Sequence, residues 1–347
     1  MLKPTLRSLI HPQILPFDEL SSRSHLGLVN NKYRIVQEVG KGKFGKVYQA
    51  VESRRETKVA IKYDVSNMGM LRHEATMLNY LHQRQCNTKN IPKILWYGKG
   101  IVPKEESDPK EDTTSSCHRA SYIQHPCLVI PFYDCTLSAY IISASNPDSS
   151  SNTIRSLMKN ETEATRSYMN QTMIQSMLSI LESIHQVFVL HRDLKPENFM
   201  MKHGQVYLID FGLSTFFVDG ESGGHVPINT EPKQDLVGSP LYTSIHVHRG
   251  YKASRRDDCI QLGYIWLYMA LNGHLPWEHI NNNNNIVSDM SPMNIQHPKN
   301  QYIYCKKQNI LEKLDGYSFT DIQDYLVQCY ALDYDAKPRY VLDSFPT

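Results

Sequence analysis

The chain reads His191-Arg192-Asp193-Leu194-Lys195-Pro196-Glu197-Asn198 beyond its midpoint, and Asp210-Phe211-Gly212 follows shortly after. Asp193 offers a carboxylate that can accept a proton, while Asn198 and Asp210 offer oxygen atoms of the kind that bind a metal ion. The apolar, β-prone residues 206–209 lie between them, so we interpret the region as a loop, a hairpin strand and a second loop. This pattern predicts a phosphoryl-transfer site.

A glycine-rich stretch lies closer to the N-terminus, with the sequence Gly40-Lys41-Gly42-Lys43-Phe44-Gly45-Lys46-Val47. A dinucleotide-binding fold uses the same glycine spacing, but it needs a helix directly after the glycines. Here β-type patterns stand on both sides, at 33–39, 46–51 and 58–63. We therefore predict a hairpin whose glycines let backbone N–H groups approach phosphates, although an ordinary turn would carry the same glycines.

Lys62 ends the strand-like run Val59-Ala60-Ile61-Lys62, and Glu74 follows on a helix predicted over 70–82. A strand lysine alone is most often a solvated charge. Opposite charges about 4 Å apart attract by about 4 kcal/mol at an effective dielectric near 20, enough to order a long side chain beneath phosphates. Because Lys62 accompanies the glycine-rich stretch, we favour a role in positioning phosphates.

The remaining patterns define the fold class. Further strands are predicted at 94–97 and 127–132, which completes one small antiparallel sheet with a single long helix. After Tyr133 helical patterns dominate, at 173–184, at 260–271, where the helix is apolar all round, and at 319–331. The sequence therefore predicts an α+β protein with a small β-rich lobe and a larger helical lobe.

The chain is expected to consist of a flexible N-terminal arm, residues 1–32, and one domain, residues 33–345. Within that domain the small lobe spans about 33–131 and the large lobe about 134–345. Three polar segments are expected to be surface loops, because they cannot bury enough apolar surface to offset the entropy of ordering: 101–120, 143–165 and 281–301.

Composition excludes several classes of function. The 37 basic and 35 acidic residues give a net charge of +2, which argues against nucleic acid or an anionic membrane as a partner. The 7 cysteines are dispersed, as expected of reduced thiols inside a cell, and His246 and His248 lack further ligands for a metal site. The apolar run 260–271 is too short to span a membrane and no signal segment is recognisable, so we expect an intracellular monomer, cytoplasmic or nuclear.

Together, the glycine-rich stretch, the strand lysine, the His-Arg-Asp loop and Asp-Phe-Gly resemble the signature of eukaryotic-type protein kinases. The resemblance implies a bilobal protein kinase fold, protein substrates, and ATP with Mg²⁺. It implies catalytic roles for Asp193 and Lys195 and metal binding by Asn198 and Asp210. The residues expected to contact the nucleotide are Val39, Gly40, Gly42, Gly45, Val47, Ala60, Lys62, Glu74 and Tyr133.

The C-terminal half resembles one family of kinases. Gly238-Ser239-Pro240-Leu241-Tyr242-Thr243-Ser244-Ile245-His246 stands where most kinases carry an Ala-Pro-Glu motif. It is similar to the Gly-Thr-Ala-Arg-Tyr-Ala-Ser-Ile-Asn stretch of the casein kinase 1 family, and 254–258 and 335–340 resemble that family too. The resemblance covers about 33–345 and implies a divergent member that phosphorylates serine or threonine. It also implies a hinge at 128–133, with Ile130 as gatekeeper, and activity without an obligatory activation-loop phosphate.

Two single residues carry separate expectations. Asn229 stands at the position of an arginine with which the family binds acidic or phosphorylated substrates, and a second cation of that kind corresponds to Lys299. Because an amide cannot offer a charged fork to phosphate, we expect weaker dependence on previously phosphorylated substrates than is usual for that family. Asp258 precedes the buried helix and is expected to accept hydrogen bonds from the backbone of the His-Arg-Asp loop, as a scaffold residue.

Two alternative functions are compatible with the pattern. The first is a catalytically silent scaffold, which typically lacks the strand lysine, the loop aspartate or the metal-binding aspartate, whereas this chain has all of them. The second is a phosphotransferase that acts on a small molecule. Against it stands Ser239-Pro240-Leu241, which is expected to form a floor for the residue that follows the acceptor in a peptide.

Overall fold

A computed structural model of the protein describes residues 28–42, 45–64, 69–84, 88–103, 122–145, 163–232, 235–278, 296–308 and 319–342. The chain divides into two compact units. The described residues of the first, called the sheet unit below, lie within 28–82 and 92–133, and those of the second, the helical unit, lie within 83–91 and 134–342. Most of each polar segment predicted as a surface loop falls outside the described residues, and the predicted domain boundaries stay predictions.

The sheet unit is built on an antiparallel sheet, for which the described residues supply six strands in the order β1-β2-β3-β4-β6-β5. Alternation along β4 explains how the sheet sorts its side chains: Val59, Ile61 and Tyr63 are buried in the core, so Ala60 and Lys62 face the opposite side. The strands are β1 Leu28–Val29, β2 Tyr33–Gly42, β3 Gly45–Glu52, β4 Lys58–Asp64, β5 Trp96–Pro103 and β6 Tyr122–Pro131.

One long helix, α1, spans Met70–Gln83, as the apolar spacing predicted. It buries one face that includes Leu71, Ala75, Leu78 and Leu81, and Glu74 lies on that same buried face. The acidic side chain is therefore held among apolar neighbours, where it needs a partner.

The β5–β6 hairpin is longer than the sequence indicated. Its register runs from Trp96 opposite Val129 to Pro103 opposite Tyr122, so both strands continue beyond the apolar residues that predicted them. Backbone hydrogen bonding extends the ladder into polar sequence, which a hydrophobic pattern cannot show.

In the helical unit, the described residues form helices α2 to α7 around one central helix. Helix α5 is buried along nearly all of its length, as its apolar composition predicted. No described helix is both long and apolar enough to cross a membrane. The helices are α2 Leu137–Ser145, α3 Glu163–Gln186, α4 Ile245–His248, α5 Arg255–Ala270, α6 Pro298–Gln308 and α7 Thr320–Tyr330.

Two small antiparallel sheets complete the helical unit. One has the order β10-β9-β7 and consists of β7 Cys135–Thr136, β9 Phe199–Lys202 and β10 Gln205–Leu208. The other pairs β8 Val189–Leu190 with β11 Thr215–Phe216. Strand β10 matches the strand predicted at 206–209, whereas β9, which lacks polar–apolar alternation, was not predicted. His203 and Gly204 join β9 to β10 with φ angles of 49° and 74°, the left-handed pair that a tight hairpin turn requires.

Helices α5 and α7 approach each other at Gly263. A Cβ atom at that position would lie 2.5 Å from Leu326 Cδ2 and 3.1 Å from Tyr325 Cδ1. The Tyr325 ring cannot retreat easily, because its hydroxyl donates to the Cys259 carbonyl at 3.0 Å. Alanine at this position would force the Leu326 side chain and the Tyr325 ring to shift, so glycine fits this helix spacing best.

We expect Gly263→Ala to destabilise the protein. Overpacking costs about 1–3 kcal/mol and exceeds the gain of about 1 kcal/mol from better helix propensity, so a net loss of about 1 kcal/mol should follow. Thermal melting measures it, with a decrease in Tm of about 2 °C. Gly220→Ala is the control, because a Cβ atom there meets nothing within 4 Å. A Gly263→Ala variant that melts above the natural protein would contradict this packing.

Candidate active site

The predicted pairing of Lys62 with Glu74 is present in the sheet unit. Lys62 Nζ lies 2.6 Å from Glu74 Oε1, and the two side chains are 14% and 5% exposed. Lys62 is opposite Val47 in the β3–β4 ladder, so the glycine-rich hairpin and the lysine occupy neighbouring strands. Burial of the pair restricts water, which makes the ion pair stronger and its geometry more fixed than at a surface.

The glycines lie on β2 and β3 as a hairpin, with Gly40 opposite Val47 and Gly42 opposite Gly45. Lys43 and Phe44, at its tip, lie outside the described residues. A Cβ atom on Gly45 would stand 1.7 Å from the Tyr63 carbonyl oxygen, so no other residue fits there. The hairpin interpretation is therefore correct.

The other residues expected to contact a nucleotide belong to the same unit. Ala60 on β4 is opposite Ile130 on β6, which is the expected gatekeeper. Tyr133 follows β6 and is buried, whereas Val39 on β2 is 45% exposed. All nine residues predicted to contact the nucleotide thus occur in the sheet unit.

The helical unit contains Asp193, whose two carboxylate oxygens are held separately. Oδ1 accepts hydrogen bonds from the backbone N–H and the hydroxyl of Ser239, both at 2.8 Å. Oδ2 accepts from Lys195 Nζ at 2.8 Å and from Asn198 Nδ2 at 3.3 Å. Lys195 Nζ also donates to the Ser239 hydroxyl at 3.1 Å, which closes a ring of hydrogen bonds around the carboxylate. The carboxylate is thereby fixed as a hydrogen-bond acceptor.

Asp258 holds the loop on which Asp193 stands, as the sequence predicted. Its carboxylate accepts from the backbone N–H groups of His191 at 2.8 Å and Arg192 at 2.9 Å. Burial alone would raise the pKa of Asp258, but the His185 imidazole and then His191, through its ring and its backbone N–H, lower it below its ordinary value. Gln261, one turn further along α5, accepts from Leu194 N–H and donates to the Arg192 carbonyl, a role that the sequence did not reveal.

His191 connects the loop to the Asp-Phe-Gly segment. Its ring packs edge to face on Phe211, with centroids 4.9 Å apart, and its Nε2 lies 3.1 Å from the Ile209 carbonyl oxygen. Complete burial lowers the pKa of His191, so the imidazole is neutral at physiological pH and donates to that carbonyl.

Asn198 and Asp210 stand at the open end of the β9–β10 hairpin, where Ile209 N–H donates to the Asn198 carbonyl at 2.9 Å. The Asn198 amide nitrogen donates to the Asp193 carbonyl at 2.8 Å, which leaves its side-chain oxygen as the atom able to bind a cation. Asp210 adopts a left-handed conformation, with φ 67°. In the described part of the chain no group of three or more His, Cys, Asp or Glu side chains could hold a metal ion. This pair of oxygen donors fits Mg²⁺, which takes its other ligands from water and phosphates.

The segment 238–243, called the acceptor segment below, directly contacts the His-Arg-Asp loop, residues 191–193. Gly238 has φ +96°, and a Cβ atom there would lie 2.5 Å from the Arg192 carbonyl oxygen. Ser244 follows the segment, caps the N-terminus of helix α4 and donates a hydrogen bond to Asp257. The sequence did not predict the contact of Ser239 with Asp193. The available signal was Gly238, the glycine directly before Ser239.

A family model, the protein kinase domain, matches residues 99–339, which is more than half of the chain. The chain belongs to the protein kinase family. The match and the two units confirm the predicted fold class, an antiparallel sheet region and a helical region, for this kinase. Family membership implies phosphotransferase chemistry with ATP and protein substrates. The glycine-rich hairpin and Lys62 precede the matched residues, so the interpretation of their roles rests on their sequence pattern and geometry.

We predict that acid destabilises this kinase from about pH 6.5 downward, the ordinary histidine pKa. Burial lowers the pKa of His246 to about 4 and that of His248 to about 3. Below pH 6.5 these histidines bind protons in the unfolded chain but stay neutral in the folded protein. The free energy of unfolding therefore decreases with decreasing pH. His248 alone should contribute a loss of about 2 kcal/mol at pH 5. Urea unfolding at pH 7.5, 6 and 5 measures this, and His248→Gln should flatten the dependence. An unchanged stability across that range would show that these histidines are accessible to protons.

Proposed function

We propose that the chain is a serine/threonine protein kinase of the casein kinase 1 type, which transfers the γ-phosphate of ATP to hydroxyl groups of proteins. The observation that carries this proposal is the ring of hydrogen bonds that joins Asp193, Lys195 and Ser239. It places a carboxylate that can accept a proton, a cation and the acceptor segment in one constellation. Catalysis of this kind consists mostly of positioning and electrostatic stabilisation.

Each group of residues has a distinct task in the proposed reaction. Lys62, oriented by Glu74, and the backbone of the glycine-rich hairpin position the phosphates. Asp193 orients the acceptor hydroxyl and receives its proton, and Lys195 stabilises charge that develops on the transferred phosphate. Asn198 and Asp210 hold Mg²⁺, which neutralises phosphate charge when bound.

The acceptor segment supports the narrower assignment to this family. The stretch that stands in place of an Ala-Pro-Glu motif includes Ser244, whose hydroxyl donates to Asp257 at the start of α5. Asp257 in turn accepts from Ser254 N–H at 2.7 Å. The Ser244–Asp257 hydrogen bond therefore joins the Ser-Ile-His stretch to the Ser-Arg-Arg-Asp-Asp stretch. Both stretches are among those on which the resemblance rests.

Asn229 supports weak dependence on previously phosphorylated substrates. Its amide nitrogen donates to the carbonyls of Glu231 and Gly250, and its oxygen accepts from Lys252 N–H at 2.6 Å. These backbone groups occupy both ends of the amide. Lys299 is exposed near the start of α6, and the resemblance assigns the second phosphate-binding cation to it.

We expect Asp193→Asn to lower kcat by about two to four orders of magnitude, which corresponds to about 3–5 kcal/mol of activation free energy. The amide keeps the shape of the side chain but cannot accept the proton. Transfer of labelled phosphate from Mg·ATP to casein measures the effect, and Asp324→Asn, an exposed change on α7, is the matched control. Full activity of Asp193→Asn would exclude the proposed role.

A natural protein that neither binds Mg·ATP nor labels any polypeptide would favour the silent scaffold, and labelling of sugars or choline alone would favour a small-molecule phosphotransferase.

Priming by a substrate phosphate should change kcat/KM by less than about tenfold, or about 1.4 kcal/mol. The comparison uses one peptide with and without phosphoserine three residues before the acceptor. Any preference that remains should decrease in Lys299→Ala, because the resemblance assigns the second phosphate-binding cation to Lys299. A large preference for the phosphorylated peptide would contradict the prediction that Asn229 weakens dependence on previously phosphorylated substrates.

A further inference from the structure

Lys307, near the end of α6, is a completely buried lysine in the helical unit. Its Nζ donates to the carbonyl of Pro240 at 2.7 Å and to that of Thr243 at 2.6 Å. In the described part of the chain no carboxylate forms an ion pair with it; the aromatic rings of Tyr264 and Trp277 lie 4.8 and 5.5 Å from Nζ. Burial lowers the pKa of Lys307 well below its ordinary value, and the two carbonyls and the two rings are the contacts that favour its ammonium form.

Both carbonyls that Lys307 binds belong to the acceptor segment. Trp277, which faces the lysine with its ring, donates its indole N–H to the Leu241 carbonyl at 2.8 Å. His248 Nε2 lies 3.0 Å from the Pro240 carbonyl oxygen, so that oxygen has two partners. The carbonyls of Pro240, Leu241 and Thr243 are thus held by side chains rather than by a strand or helix of their own.

The residue directly before Pro240, Ser239, is the one that binds Asp193. Ser239 shares its peptide bond with Pro240, and Ser239 supplies two of the hydrogen bonds to Asp193 Oδ1. The Tyr242 and Thr243 N–H groups donate back to the Ser239 carbonyl, at 2.9 and 3.0 Å. A displacement of Pro240 would therefore move Ser239 relative to the carboxylate.

We propose that Lys307 is a positioning residue for the acceptor: it fixes the acceptor segment against α6 and thereby sets where a peptide substrate meets Asp193. This inference rests on the proposed function, because it assigns the segment to peptide binding. Lys307 does not touch the reacting atoms. Its loss should therefore weaken peptide binding and loosen the segment, with the use of ATP unchanged.

The test is Lys307→Met, which keeps the length of the side chain but removes its charge and its donors. The neighbouring Lys306→Met is the matched control, because Lys306 is exposed and lies over the ring of Tyr302. In Lys307→Met the KM for a peptide substrate should rise by about tenfold, the scale of a lost charge-assisted hydrogen bond. The KM for ATP should stay as in the natural protein. Hydrogen exchange of the Tyr242 and Thr243 amides, followed by mass spectrometry, should accelerate in Lys307→Met and not in Lys306→Met.

The two readouts separate this inference from the proposed function. If the natural protein phosphorylates no peptide, the proposed function fails, while hydrogen exchange still decides whether Lys307 fixes the segment. A folded Lys307→Met variant with unchanged peptide KM and unchanged exchange would overturn the inference. If that variant does not fold, Lys307→Gln, which retains a donor, replaces it. Acetylation of the natural protein gives a test without any variant: Lys306 should react and Lys307 should not, and equal labelling would also overturn the inference.

Discussion

The carboxylate of Asp258 stabilises the His-Arg-Asp loop in a backbone conformation that is unfavourable without it. Arg192 has φ 69°, a left-handed conformation that is unfavourable for a side chain of this size. Asp258 accepts both the His191 and the Arg192 N–H, and the Arg192 side chain donates to the Leu213 carbonyl at 2.7 Å. These bonds fix the peptide that leads into Asp193. The position of the proposed proton acceptor is therefore decided by a residue on α5 that takes no part in the chemistry.

Buried charged side chains have different kinds of partner in the two units. In the sheet unit Lys62 and Glu74 neutralise each other, so each side chain depends on the other for its position. In the helical unit Asp258 is stabilised by N–H groups and Lys307 by carbonyls and aromatic rings. A charge held by backbone dipoles fixes the backbone in return, because the hydrogen bonds would be lost if the chain moved. The segments held in this way are the His-Arg-Asp loop and the acceptor segment, to which the proposed function assigns proton transfer and peptide binding.

Sequence reasoning succeeded where chemistry and local pattern coincide in a short stretch. The strand alternation that ends at Lys62, the apolar spacing of α1 and the buried character of α5 were all visible, as was the need of Asp258 for donors. The contact of Ser239 with Asp193 was not visible, because 46 positions separate the two residues along the chain. Lys307 was missed for a second reason: next to Lys306 it looks like one of two solvated charges, and only the fold reveals that one is exposed and the other buried. Strand β9 lacks alternation and is specified by its partner β10.

The departure at Asn229 follows from the same use of side chains to hold backbone. The residue binds Gly250 and Lys252, which lie in the connection between α4 and α5, and α5 carries Asp258. An arginine at this position could not accept from Lys252 N–H, because a guanidinium group has no acceptor. That N–H would lose its partner, so reintroducing the charge would loosen the connection that leads to α5. In this chain Asn229 therefore supports the connection to α5 through hydrogen bonds, at the position where the resemblance implies an arginine that binds substrate.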